Sequence, residues 1–127
     1  MKFRFLVVFF FILLSACQSA PQLQEGFWTG SLTPMNHPEM SNPMGYEVSY
    51  IDRALTIHIV GPDSSLIPTD NTRIENDTLF FQFIEPEERV TLDCALAQHE
   101  SAEQGFSGRC TDQSGKWARF TMIPPNH

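Results

Sequence analysis

The chain has 127 residues, room for one domain and not two. Eight basic and fifteen acidic residues give a formal net charge of −7. That balance excludes a nucleic-acid binder working through a basic footprint and disfavours an electrostatic grip on anionic lipid.

The first element is a leader. Lys2 and Arg4 precede an unbroken apolar run from Leu6 to Leu14. Nine residues are too few for a membrane span, which takes about 20, but they suit the apolar core of a secretory signal, which runs about 7–15. The run ends in Leu14-Ser15-Ala16-Cys17. This tetrapeptide resembles the lipobox of bacterial lipoproteins. The resemblance implies that residues 1–16 are a signal peptide, that the Cys17 thiol takes a diacylglycerol, and that the freed amine is acylated with a palmitate-class chain. One acyl chain binds a bilayer only marginally, whereas several hold a protein there for good. Gln18 stands where an aspartate resembles an inner-membrane retention signal. The expected location is therefore the outer membrane, lipid-anchored and facing the periplasm. Without its leader the chain keeps six basic and all fifteen acidic residues, a net charge of −9.

Residues 17–25 read as a lipidated tether: polar, broken by Pro21, and without periodicity. Its eight residues after Cys17 reach about 26–29 Å when extended. Residues 26–127 read as the folded domain, where the pattern turns to period two. Strand segments occur at Phe27–Leu32, Tyr46–Tyr50, Leu55–Ile59, Leu79–Phe83 (apolar on both faces), Val90–Leu96, Phe106–Cys110 and Ala118–Met122, with a weaker one at Thr72–Ile74. Gly61-Pro62-Asp63, Asn76-Asp77, Pro86 and Asp112–Gly115 punctuate them. About eight short strands at hairpin spacing predict an all-β fold, a small antiparallel up-and-down barrel or sandwich. The expected interior set is Trp28, Leu32, Leu55, Ile57, Ile59, Leu79, Phe81, Phe83, Val90, Leu92, Leu96, Phe106, Phe120 and Met122. That set fills a small eight-stranded barrel, whose lumen holds side chains or one small ligand. Gly30 and Gly108 on the same face mark sharp bends or room for large neighbours.

One register can be counted. Asp112-Gln113-Ser114-Gly115 suits a type I turn followed by a left-handed glycine. Counting back sets Cys110 opposite Ala118, Gly108 opposite Phe120 and Phe106 opposite Met122. With Cys17 assigned to lipid, Cys94 and Cys110 remain, and an oxidising compartment makes a disulfide between them the default. Leu96 then faces Gly108.

Gly26-Phe27-Trp28 resembles the G-x-W of the first lipocalin strand, where the tryptophan closes the barrel base. The resemblance implies an up-and-down barrel.

Two constellations carry chemistry. Met35, His37, Met40 and Met44 offer three thioethers and an imidazole, ligands suited to Cu(I), within Pro34–Gly45. A connecting loop whose methionines cover one barrel end is the other reading of this stretch. On the opposite face of the counted hairpin, Arg109 lies directly across from Arg119, with Trp117 beside them. Like charges facing each other are unfavourable and call for a counter-anion, either Asp93 diagonally across or a bound partner. Tryptophan and arginine are frequent hot-spot residues, so Arg109, Trp117 and Arg119 form a candidate docking patch for a glycan, carboxylate or partner protein.

His58 falls on a polar face. His99, Glu100 and Glu103 share an acidic loop, and Glu85, Glu87 and Glu88 flank Pro86 in a solvated turn. No nucleophile elbow, P-loop, H-E-x-x-H or EF-hand pattern occurs. The sequence thus predicts a non-enzymatic binding or assembly module of the cell envelope, its ligand a protein, a glycan or a small apolar molecule. Cu(I) binding through the methionine stretch is the alternative, and no other cofactor is expected.

Overall fold

The computed structural model describes residues 23–61, 63–99 and 105–125. The signal peptide, the lipobox with Cys17, the tether through Gln22, and Pro62, Glu100 and Glu103 lie outside the described residues. The strands are β1 (Gly26–Pro34), β2 (Asn42–Ile51), β3 (Ala54–Val60), β4 (Leu66–Pro68), β5 (Asp70–Glu75), β6 (Thr78–Ile84), β7 (Thr91–Gln98), β8 (Phe106–Thr111) and β9 (Trp117–Ile123). They form one antiparallel sheet in the order β4-β3-β2-β1-β9-β8-β7-β6-β5, in which the first strand pairs with the last.

The two ends of that order are neighbours in the chain. β4 pairs with β3 and β5 pairs with β6, and the antiparallel alternation around the sheet makes β4 and β5 run in one direction. Only Thr69 separates them. They are two halves of one bent stave, so the nine elements make an up-and-down barrel of eight staves, nearly closed. At the bend the Thr69 hydroxyl donates to the Ile57 carbonyl of β3 at 2.7 Å and shares a 2.8 Å hydrogen bond with the Thr72 hydroxyl. Asn71, at φ 55°, sits in a bulge where the pairing with β6 slips between Asp70 and Arg73. This seam is therefore sealed by side chains where the other staves are sealed by ladders.

The upper end carries the β1–β2 loop, Gly61–Ser65, the Glu85–Val90 turn and the β8–β9 hairpin. The lower end carries Leu23, the β2–β3 and β5–β6 turns and the chain after Ile123. Both lower turns are two-residue hairpins with positive φ at each central residue, Asp52-Arg53 and Asn76-Asp77. Such turns match the twist of the strands they join.

Inside, Trp28, Ile57, Ile59, Leu79, Phe81, Phe83, Leu96, Phe106, Phe120 and Met122 are buried, as the alternation predicts. Leu32, Leu55 and Leu92 pack against them partly buried. Val90 lies just outside β7 and is half-buried. Besides the two disulfide cysteines, three core residues were not in the expected set. Tyr46 and Val48 join from β2, and Leu23, read as tether, is only 6 % exposed. Leu23–Glu25 belongs to the barrel: Tyr50 Oη donates to the Leu23 carbonyl at 2.9 Å, Trp28 Nε1 to the Gln24 carbonyl at 2.9 Å, and Glu25 accepts from the Tyr50 amide at 3.2 Å. Trp28 thus fixes the lower end, with its ring 6.1 Å from that of Phe106.

Gly30 is the close approach that sets one side of the core. A side chain there would collide with the Thr121 carbonyl and crowd the Tyr46 ring. Without one, Tyr46 reaches from β2 past β1 and donates to that carbonyl on β9 at 3.1 Å. Burial pushes the Tyr46 phenol far above its ordinary value of 10.0.

Candidate functional site

The best-defined surface is built on the counted hairpin. Asp112 Oδ1 accepts from the Ser114 hydroxyl (2.7 Å), the Ser114 amide (2.8 Å) and the Lys116 amide (3.0 Å), and Gly115 follows at φ 93°. These bonds, the Ser114 hydroxyl foremost, hold the Asp112 carboxyl below its ordinary range. The turn fixes the register: Cys110 faces Ala118, Gly108 faces Phe120, Phe106 faces Met122 and Arg109 faces Arg119. Cys94 pairs with Cys110 across β7 and β8, and a disulfide joins them. Gly108 is small because the Ala95 carbonyl of β7 presses on it.

On the outer face, the Arg109 guanidinium lies over the Trp117 ring, 4.1 Å from its centroid. Arg119 is exposed beside it. Among the described residues neither arginine has a carboxylate within 4.0 Å. Asp93, the counter-anion that the sequence offered, accepts a short hydrogen bond from Gln82 Nε2 instead. The expected patch of Arg109, Trp117 and Arg119 is therefore assembled, and its positive charge is left facing solvent.

The methionine stretch meets this patch. Met35 continues the β1–β9 pairing beyond Pro34: its amide donates to the Trp117 carbonyl at 3.2 Å, and its sulfur accepts from the Trp117 amide at 3.3 Å. Strand alternation turns Met35 outward, whereas Met44, opposite Gly30 on β2, packs inward against the core, 3.9 Å from Tyr46 Oη. Met40 is exposed, and His37 Nδ1 lies 3.6 Å from Glu39 Oε1. Met35 and Met44 thus lie on opposite faces of the sheet, and His37 and Met40 belong to the loop between β1 and β2. No group of three or more His, Cys, Asp or Glu side chains among the described residues is arranged to hold a metal ion.

The sequence missed the rest of this wall. Following the pairings outward from Arg119, the same row runs through Arg109, Ala95 and Phe80 to Arg73. Arg73 lies over the Phe80 ring at 4.8 Å and pairs with Glu75 at 3.0 Å. Phe80 was legible as the outward member of an alternating strand. Arg73 was not, because the Asp70–Arg73 bulge breaks the count. A serine–histidine contact was also missed: His99 Nε2 lies 3.0 Å from Ser107 Oγ. It sits on the outer surface of β8. His58 is half-buried on the outside of β3, opposite Glu47. Glu85 caps its own turn by accepting from the Glu87 and Glu88 amides.

No protein-family model matches the chain, and no curated protein matches it. Among solved structures it is similar to a redesigned beta barrel, at 16% identity and a TM-score of 0.60 over 80% of this chain and 91% of that one. The likeness shows the fold alone, a β-barrel.

Proposed function

We propose that the protein is a lipid-anchored, non-enzymatic binding module of the bacterial envelope. It is held through Cys17 at the outer membrane on the periplasmic side and docks on an envelope partner through Arg109, Trp117 and Arg119. The lipobox resemblance supports the anchor, and the disulfide fits an oxidising compartment. The observation that carries the docking reading is the Arg109–Trp117 stack facing an uncompensated Arg119 on a stapled, ladder-bonded wall. Two like charges are held together there without a paired carboxylate among the described residues, on a protein that is acidic overall. A stacked guanidinium is also pre-ordered, so less conformational freedom is lost when it binds.

The test is photocrosslinking in cells from a probe at Thr111, beside the stack, with the tether intact. A discrete neighbour is expected, and Arg109→Glu with Arg119→Glu removes it while circular dichroism and the disulfide stay unchanged. Undiminished capture in that variant rejects the patch. Mass spectrometry of the amino-terminal peptide tests the anchor separately; an unmodified Cys17 rejects it.

A further inference from the structure

We propose that what this wall binds is an acidic protein segment lying across the strands, in the trough between its two arginine–aromatic stacks. The inference rests on the docking reading and extends its footprint. Its starting point is the row Arg119, Arg109, Ala95, Phe80, Arg73 on five successive strands. Three of the six basic residues beyond Cys17 stand in that one row. Two of them are pinned on rings, Arg109 on Trp117 and Arg73 on Phe80. Between the stacks Ala95 has almost no side chain. A hollow of ≈ 250 Å³ opens there, lined by Arg73, Phe80, Gln82, Asp93 and Ala95 among others.

Charge complementarity selects the occupant. The field of this row attracts a negative partner, while the acidic remainder of the surface repels one elsewhere, so the partner is steered to this wall. Guanidinium forks match carboxylates in two-point contacts. Arg109 and Arg119, one ladder step apart, take one carboxylate between them. Asp93, bonded to Gln82 midway along the trough, repels a second acid at the centre. The Glu75 partner of Arg73 is exposed, so an incoming carboxylate exchanges with it at the surface. Three strand spacings separate the two stacked arginines, Arg109 and Arg73, about 14 Å along the sheet and longer over the convex outside of the barrel, the span of roughly six extended residues. The fitting segment is therefore acidic at both ends and neutral in the middle. A glycan fits less well, because the two aromatic rings of this row, Trp117 and Phe80, are each already covered by a guanidinium.

The test uses the full lipidated protein in detergent and a blocked peptide Glu-Glu-Ser-Gly-Ser-Glu, with Trp117 fluorescence and nuclear magnetic resonance shifts as readouts. Saturable binding is expected at millimolar peptide, shifting Arg109, Ala95 and Arg73 together and weakening with salt. The all-glutamine peptide should bind at least about tenfold more weakly. Ala95→Trp fills the hollow between its direct neighbours Arg109 and Phe80 while leaving all three arginines in place, and should weaken binding at least about fivefold, as should Arg73→Glu. Absent binding, equal binding of the glutamine peptide, or tighter binding of polygalacturonate or inorganic phosphate overturns the proposal. Undiminished binding by Ala95→Trp overturns the trough. If Ala95→Trp keeps both peptide binding and cellular capture while Arg109→Glu with Arg119→Glu loses capture, the trough falls and the docking reading stands. Loss of capture by neither variant removes both.

Discussion

The wall of β7, β8 and β9 and the seam at β4 and β5 are opposite solutions to closing one barrel. In the wall, consecutive residues pair without slippage from Asp93–Thr111 to Gln98–Phe106 and from Phe106–Met122 to Thr111–Trp117, and a disulfide crosses it. In the seam a stave bends at Thr69, the register slips, and a threonine hydroxyl stands in for a ladder. The arginine–tryptophan stack rides on the rigid side. The lesson is that the fold concentrates its irregularity in one stave, at whose bulge Arg73 sits, and leaves Arg109, Trp117 and Arg119 on a ladder of unbroken register.

That contrast can be broken most severely at the staple. Replacing Cys94 and Cys110 by alanine together frees a loop of 16 residues' separation and should cost about 3 kcal/mol in the chain-entropy account. Urea unfolding measures it, and a cost below about 1 kcal/mol would mean that the ladder alone makes the wall rigid. Next is the brace from β2 to the wall. Tyr46→Phe leaves the Thr121 carbonyl without its donor, a loss of about 1–3 kcal/mol. The fold raises this phenol, so its contribution is fully present below the unfolded value of about 10 and fades as pH climbs above it toward the folded value. Stability should therefore fall less steeply above pH 10 in Tyr46→Phe than in the parent; equal slopes would assign the alkaline limb elsewhere, Tyr50 being raised as well. The smallest effect is at the seam. Thr69→Val should cost about 1 kcal/mol, with faster amide exchange in β3 and β5 and unchanged exchange in β8. Acceleration spread evenly round the barrel would show that the seam is no weaker than the wall.

The legibility of the chain divides along the same line. Turn chemistry at Asp112–Gly115 and alternation in Phe106–Cys110 and Ala118–Met122 are independent local signals, and together they fix a register to the residue. The Arg109–Arg119 opposition followed from it, while the disulfide pairing followed from the cysteine count and the expected oxidising compartment. The bent stave offered no such signal. Leu66–Pro68 is three residues long and contains a proline, and Asn71 takes a left-handed backbone that breaks period two. Arg73 therefore could not be placed beside Phe80, although Phe80 itself was readable as outward. Tyr46 and Val48 alternate with Glu47 and Ser49, but a tyrosine is an ambiguous core residue until its hydroxyl has a partner; that partner lies 75 residues away. Leu23 escaped for a related reason. A single leucine among polar residues carries no period, and only the Tyr50 and Trp28 bonds pull its segment in.

The capture of Leu23 has a consequence for orientation. On the lipid-anchored reading, only residues 18–22 remain as a leash between Cys17 and the barrel, and the chain after Ile123 leaves from the same rim. On that reading the lower rim would be held toward the bilayer, so the wall that carries Arg109 and Arg119 would face sideways along it and the β1–β2 loop would point away.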